Sequence, residues 1–190
     1  MRWLFLVVLL GGCTSMERLE PRRFLIKEEL SVIADARWNR VEPPPDEIET
    51  WTADGMALDA LAFYVVAEGE TLGEANGPDT PRWRRGMTPH DVVELYETLV
   101  TQEGSFFKLD RLAPAAFGGH HGFLFEHTTV TREGPTLGGL AYGAVAGGKL
   151  YLISYTAPRS YYFEKHLAAV RAIAASARIT SRESAASASP

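Results

Sequence analysis

The chain has 190 residues, 46% hydrophobic and 23% charged, with a formal net charge of −5. This length and balance suit one globular domain whose core needs no disulfide staple. The acidic excess argues against the basic face of a nucleic-acid binder, and against a polybasic patch held to anionic lipid by charge.

The chain opens Met1-Arg2, continues through the apolar run Trp3 to Leu10, and reaches Gly11-Gly12-Cys13. One positive residue, a short apolar stretch and small residues at its end are the parts of a secretory signal. Eight apolar residues in a helix reach about 12 Å, far less than a hydrocarbon core of ~30 Å. Leu10-Gly11-Gly12-Cys13 resembles a bacterial lipobox. The resemblance implies diacylation of the Cys13 thiol, cleavage before Cys13 and acylation of the new amine. The competing readings are an ordinary signal with a chance cysteine, or a buried N-terminal strand. Cys13 is the chain's one cysteine and stands where a lipobox requires it. A mature chain starting there has no internal disulfide or thiol nucleophile. Removal of residues 1–12 takes away Arg2 and no acid, moving the net charge from −5 to −6. Two or three acyl chains supply the stable anchoring that a single chain lacks. Thr14 in place of aspartate after the cysteine resembles the signal for onward transport to the outer membrane of a Gram-negative envelope.

Residues 13–23 are polar, contain Pro21, and read as a lipidated tether. Residues 24–179 carry all the periodic segments and read as one domain. Its first half reads as strands over Phe24–Ile33, Trp38–Val41, Glu49–Ala53 and the strongly apolar Leu58–Val66, with Asp54-Gly55 as a turn. Gly69–Arg85 reads as an exposed loop. A helix follows: Thr88 is suited to the N-cap, Pro89 to the first turn, and Asp91 lies three residues after the cap. Val92, Leu95, Tyr96 and Leu99 then repeat at helical spacing, and Gly104 ends the segment. Four strands are predicted over Ser105–Leu112, Gly122–Thr131, Gly138–Ala146 and Lys149–Thr156, with Gly147-Gly148 as a two-residue hairpin turn. A last helix is predicted from Ser160 as cap to about Ala177, with Phe163, Leu167, Val170 and Ala174 as its apolar stripe. The small-residue tail 180–190 has nothing to bury and is expected to be disordered. Runs of strands with helices at intervals indicate an α+β fold, a mostly antiparallel central sheet covered by helices on its faces.

Three stretches carry a family resemblance: Trp51-Thr52-Ala53-Asp54-Gly55 with the strand after it, the capped helix from Thr88, and Lys149–Ala157 leading through Tyr162-Phe163 into a helix that finishes Ser176–Ile179. Together they resemble the PsbP-like group, which includes a photosynthetic oxygen-evolving-complex subunit, a Ran-binding nuclear import factor and DcrB-type envelope lipoproteins. The resemblance implies a helix-flanked antiparallel sheet and a binding or assembly role. No ion- or partner-binding residue of the group maps onto a position of this chain.

His120-His121 beside Gly118-Gly119 is the metal-ligand candidate, since imidazole is a common ligand. His121 and His127 lie about 20 Å apart along an extended strand and do not share one ion. Solvated loop histidines are the competing reading. Arg82, Trp83, Arg84 and Arg85 form a basic, aromatic cluster in the predicted loop, suited to phosphate or a partner, or else a solvated face. Tyr161, Tyr162 and Phe163, with Tyr151 and Tyr155, line either an apolar ligand pocket or simply the core. No G-x-S-x-G elbow, Walker loop or H-E-x-x-H motif is present, and no cofactor is implied. The sequence therefore points to a lipoprotein of the cell envelope, on the outer membrane facing the periplasm if the host is Gram-negative. It would be a non-enzymatic module for an envelope protein or a cell-wall or lipid component. The alternative is a hydrolase or metal-dependent enzyme with a site near His120 and His121. Cys13→Ser, which leaves no thiol to acylate, is expected to yield an unprocessed precursor that incorporates no palmitate analogue. Metabolic labelling reads this directly, and normal labelling would refute the anchor.

Overall fold

A computed structural model describes residues 15–35, 37–44, 48–73, 80–101, 104–132 and 134–180. Eleven strands and two helices occur among them: β1 (Ser15–Arg18), β2 (Arg22–Ile26), β3 (Leu30–Ala34), β4 (Asn39–Glu42), β5 (Glu49–Thr52), β6 (Ala60–Val66), α1 (Pro89–Thr101), β7 (Phe106–Phe117), β8 (His120–Val130), β9 (Thr136–Ala146), β10 (Lys149–Pro158), α2 (Tyr162–Ser176) and β11 (Arg178–Ile179). Eight strands form one sheet in the order β1-β4-β5-β6-β10-β9-β8-β7, and β11-β3-β2 form a second. Every pairing is antiparallel. The fold class is α+β with a mostly antiparallel sheet, as the run of strand signals predicts.

Alternation along β10 divides the core in two. Tyr151, Ile153 and Tyr155 pack with Ala169, Val170 and Ile173 of α2 and with Phe24, Ile26, Leu30 and Val32 of the small sheet. Leu150 and Leu152 point the other way and pack with Val92, Val93, Leu95 and Tyr96 of α1. Both helices thus bury most of the stripes their spacing predicts, although Leu99 and Leu167 are only partly buried.

Strand β9 is rich in glycine because its neighbours' rings lie across it. Gly139 faces His127 and Gly143 faces Phe123 in the β8–β9 ladder. A Cβ at Gly139 would sit 1.8 Å from His127 Nε2, and one at Gly143 2.6 Å from the Phe123 ring. On the opposite face a Cβ at Gly138 would come within 2.8 Å of Phe163 of α2.

The helix at Thr88 starts as predicted, with a reciprocal cap: Asp91 N donates to Thr88 Oγ1 at 3.3 Å, and Thr88 N donates to Asp91 Oδ2 at 2.6 Å. The Gly147-Gly148 turn also holds, with φ of 55° and 76°, the pair of positive values a type I′ turn requires.

Four expectations are corrected. Residues 15–23 are not merely a tether: β1 pairs with β4, β2 opens at Arg22, and Leu19 is buried with its N–H on Trp38 O at 2.9 Å. Phe24–Ile33 is a hairpin rather than one strand, turning at Lys27-Glu28 with φ of 44° and 60°. Ser160 does not cap α2, whose cap position is Tyr161 with no side-chain cap bond. Arg159 N still donates to Thr136 O at 3.0 Å, so the ladder holds the backbone extended there. Finally, Gly69–Arg85 is not wholly exposed, since Leu72 and Trp83 enter the core beside α1. Residues 1–14, with the expected signal and Cys13, and the tail 181–190 lie outside the described residues.

Gly139→Ala is expected to cost roughly 1–3 kcal/mol, the usual range for overpacking. Much of that loss should vanish in a His127→Ala background, where the ring that meets the new methyl is gone. A double-mutant cycle in urea measures this, and strictly additive losses would show that the ring is not the obstacle.

Candidate functional site

The face of the sheet beside α1 carries the site. Helix α1 crosses toward β7 and β8, where Tyr96 meets Phe107, Phe125 and His127 at ring-centroid distances of 6.4, 5.3 and 5.2 Å. On its other side a cleft of about 270 Å³ opens between the helix and strands β5, β6 and β10. Ile48, Met56, Ala60, Ala62, Leu99 and Val100 supply apolar walls. Hydroxyl groups gather at its base: Tyr96 Oη lies 2.6 Å from Ser154 Oγ and 3.5 Å from Thr156 Oγ1. Thr50 Oγ1, also on the lining, donates to Ile48 O at 2.9 Å. Burial pushes the Tyr96 phenol above its ordinary pKa, against the pull of the Ser154 and Thr156 hydrogen bonds, so it stays protonated near neutrality. The volume lies just below the roughly 300–1,000 Å³ range of small-molecule sites. Such a lining accepts an apolar body with one hydrogen-bonding group and, among the described residues, supplies no charge.

The cleft was not assembled by sequence reasoning, which placed Tyr96 only in a helix stripe. One signal was present. Ser154 and Thr156 are hydroxyl residues on the β10 register otherwise occupied by Leu150 and Leu152. A second groove, of about 290 Å³, lies at the other end of α1 between Pro89, His90, Leu112, Pro114 and Phe123.

The residues singled out from the sequence are dispersed. Trp83 is 0% exposed and donates from Nε1 to Gly148 O at 3.1 Å. Arg82 donates to Gly69 O, and Arg85 pairs with Glu68 at 2.9 Å. Arg82, Arg84 and Arg85 are exposed, so the cluster is a solvated set of arginines around a core tryptophan. His120 and His121 open β8 on alternate faces, half-buried and exposed respectively, and among the described residues no three His, Cys, Asp or Glu side chains gather as metal ligands. Tyr151 and Tyr155 belong to the core under α2 and line no part of the cleft. Tyr161 is exposed, while Phe163 stacks on Tyr155 at 5.8 Å.

Two further polar groups are structural. Asp59 is buried and its carboxylate accepts from Thr52 Oγ1, Ala53 N and Asp54 N at 2.7–2.9 Å, which shapes the turn after Trp51. Asp54 then receives Lys165 Nζ at 2.7 Å and lies 2.6 Å from His166 Nε2, tying α2 to that turn. Burial opposes ionisation of Asp54, but the His166 and Lys165 bonds prevail and hold its pKa below the usual range.

No protein-family model and no curated protein sequence matches the chain. Solved structures do. The solution structure of cyanobacterial PsbP (CyanoP) from Synechocystis sp. PCC 6803 aligns at a TM-score of 0.58 and 14% identity, over 90% of this chain and 99% of that one. The fold is PsbP-like. A crystal structure from Bacteroides thetaiotaomicron VPI-5482 aligns at a TM-score of 0.53 and 9% identity, over 87% of this chain and 50% of that one. At such identities a PsbP-like fold carries no site residue with it.

His127 offers a test of the packing around α1. It is fully buried, stacks on Phe107 at 4.9 Å, and has an Nε2 without a hydrogen-bond partner. Burial lowers its pKa to about 4, with Arg159 adding to the effect and Asp110 opposing it. The unfolded chain, with His near 6.5, therefore binds the extra proton first as pH falls, and stability is lost between about pH 6.5 and 4. The loss from this group between pH 7 and 5 should be about 2 kcal/mol. His127→Phe is expected to remove that part of the pH dependence in parallel urea titrations, and an unchanged slope would contradict the burial.

Proposed function

We propose that this chain is a lipid-anchored envelope protein acting as a non-enzymatic binding module, with a small apolar ligand held in the cleft beside α1. In this reading the helices flank the two faces of a PsbP-like sandwich, and Cys13 carries the lipid. The observation that carries the proposal is the cleft itself. Its walls are mostly aliphatic, its base holds the Tyr96, Ser154 and Thr156 hydroxyls, and among the described residues neither a carboxylate nor an imidazole lines it. That lining suits retention by burial and one or two hydrogen bonds. The titratable groups on that lining, among the described residues, are the phenols of Tyr64 and Tyr96, and burial keeps Tyr96 protonated near neutrality. The alternative of a hydrolase or metal-dependent enzyme at His120 and His121 draws no comparable support, because the two side chains leave β8 on opposite faces.

Ala62→Phe would place a ring in the cleft, and Ala113→Leu provides a control in the second groove. The neutral fluorophore N-phenyl-1-naphthylamine is expected to bind wild type and Ala113→Leu saturably, and Ala62→Phe at least about tenfold more weakly, a difference of ~1.4 kcal/mol. Equal unfolding midpoints would establish that all three are folded. Undiminished binding by Ala62→Phe would remove the cleft from the proposal.

A further inference from the structure

The position of the anchor relative to the cleft limits what the ligand is. Strand β1 starts at Ser15, two residues after Cys13, and pairs at once with β4 through Ser15↔Glu42 and Met16↔Val41. Two residues span at most about 7 Å, so the lipid attachment point stays close to the β1 end of the large sheet. The β4–β5 register of Asn39↔Thr52 and Arg40↔Trp51, continued by one residue, sets Val41 opposite Thr50. Thr50 pairs with Ala62, and Ala62 with Ser154. Directly paired residues share a face. One cross-strand row therefore runs Met16–Val41–Thr50–Ala62–Ser154, from three residues past Cys13 to the hydroxyl bonded to Tyr96. Its last three members line the cleft. Thr50 lies only two strand spacings from β1, about 10 Å. Met16 at the start of the row is 51% exposed and Met56, on the cleft lining, is 38% exposed.

We infer that the cleft takes the acyl chain of a phospholipid from the bilayer to which the protein is anchored. This rests on the proposed lipid anchor and binding cleft and names the ligand class. The row runs from the exposed Met16 past the buried Val41 to the cleft, so the mouth of the cleft lies near the anchored end of the sheet, and the hydroxyls at its base meet an ester or a chain-borne oxygen. Among the described residues the lining is uncharged, which matches a hydrocarbon chain, whereas a phosphate or a peptide terminus would find no countercharge among them. The short reach from Cys13 keeps the cleft beside the membrane surface at all times, so the effective concentration of bilayer lipid is high.

The full lipidated protein would be reconstituted in phosphatidylethanolamine–phosphatidylglycerol vesicles doped with phosphatidylethanolamine bearing a diazirine on one acyl chain. After irradiation, peptide mapping is expected to place adducts on Met56, Leu99 and Val100. Ala62→Phe, or Ala60→Leu if the first variant is unstable, should reduce those adducts at least fivefold, while adducts near residue 16 persist. Adducts confined to the β1 end, or unchanged by both filling variants, would overturn the inference. The outcomes separate the readings. Intact-mass spectrometry of the purified protein tests the acylation of Cys13 independently. Saturable fluorophore binding with no cleft adducts would leave a binding module whose ligand is not a bilayer lipid.

Discussion

Strand β10 is buried on both faces, and the rest of the molecule is arranged to satisfy that. Eight strands at about 4.8 Å spacing make a sheet some 34 Å across. Helix α1, with 13 residues, is about 20 Å long and about 10 Å wide. On one side of the sheet α2 shares the work with β2, β3 and β11, so the apolar side chains of β10 and β6 find partners throughout. On the other side α1 packs over β7, β8 and β10, and the surface of β5 and β6 beyond it is left as a cleft. The candidate site is thus a consequence of unequal cover: a helix and a three-stranded sheet oppose one face, while one short helix with Leu72 and Trp83 of the segment before it opposes the other.

The glycines of β9 let α1 and α2 approach as closely as they do. A sheet strand with a side chain at every position keeps its neighbours' rings upright. Here the imidazole of His127 and the ring of Phe123 lie over Gly139 and Gly143, and Phe163 fills the space at Gly138. The cost of burying an imidazole is a group that resists protonation, with its Nδ1 satisfied by Thr129 Oγ1 at 3.1 Å. The same rule governs the cleft base, where the Tyr96 hydroxyl is tolerable in the interior because Ser154 meets it. Most buried polar groups named above are paired, with His127 Nε2 an exception, and Asp54, Lys165 and Glu29 are held in ion pairs.

The elements legible in the sequence are those whose signal is local. Thr88, Pro89 and Asp91 specify the start of α1 through the backbone's own unsatisfied N–H groups, so no distant residue is needed to read them. Gly147-Gly148 specifies a hairpin because positive φ at two successive positions is costless for glycine. The alternation of β10 and the stripe of α2 announce which side chains are buried.

Other features depend on partners far along the chain. Ser15–Arg18 has neither hydrophobic periodicity nor β-branched residues, and it is a strand because β4 presents an open edge to it. Lys27-Glu28 turns with two non-glycine residues at positive φ because Phe24, Ile26, Leu30 and Val32 must all face the same core. Trp83 looks like part of an exposed arginine cluster until the Gly148 carbonyl, 65 residues away, receives its indole N–H. The row from Met16 to Ser154 is invisible in sequence because it crosses five strands, two of whose neighbour pairs, β1–β4 and β6–β10, are separated by other elements of the chain. Residue types and spacing alone determined the capped helix, the tight turn and the strand-dominated class, since each is written in the backbone preferences of a few neighbours. Which face stays open, and which hydroxyls meet at its base, only the tertiary structure decided, because register and strand order are set by burial summed over the whole sheet.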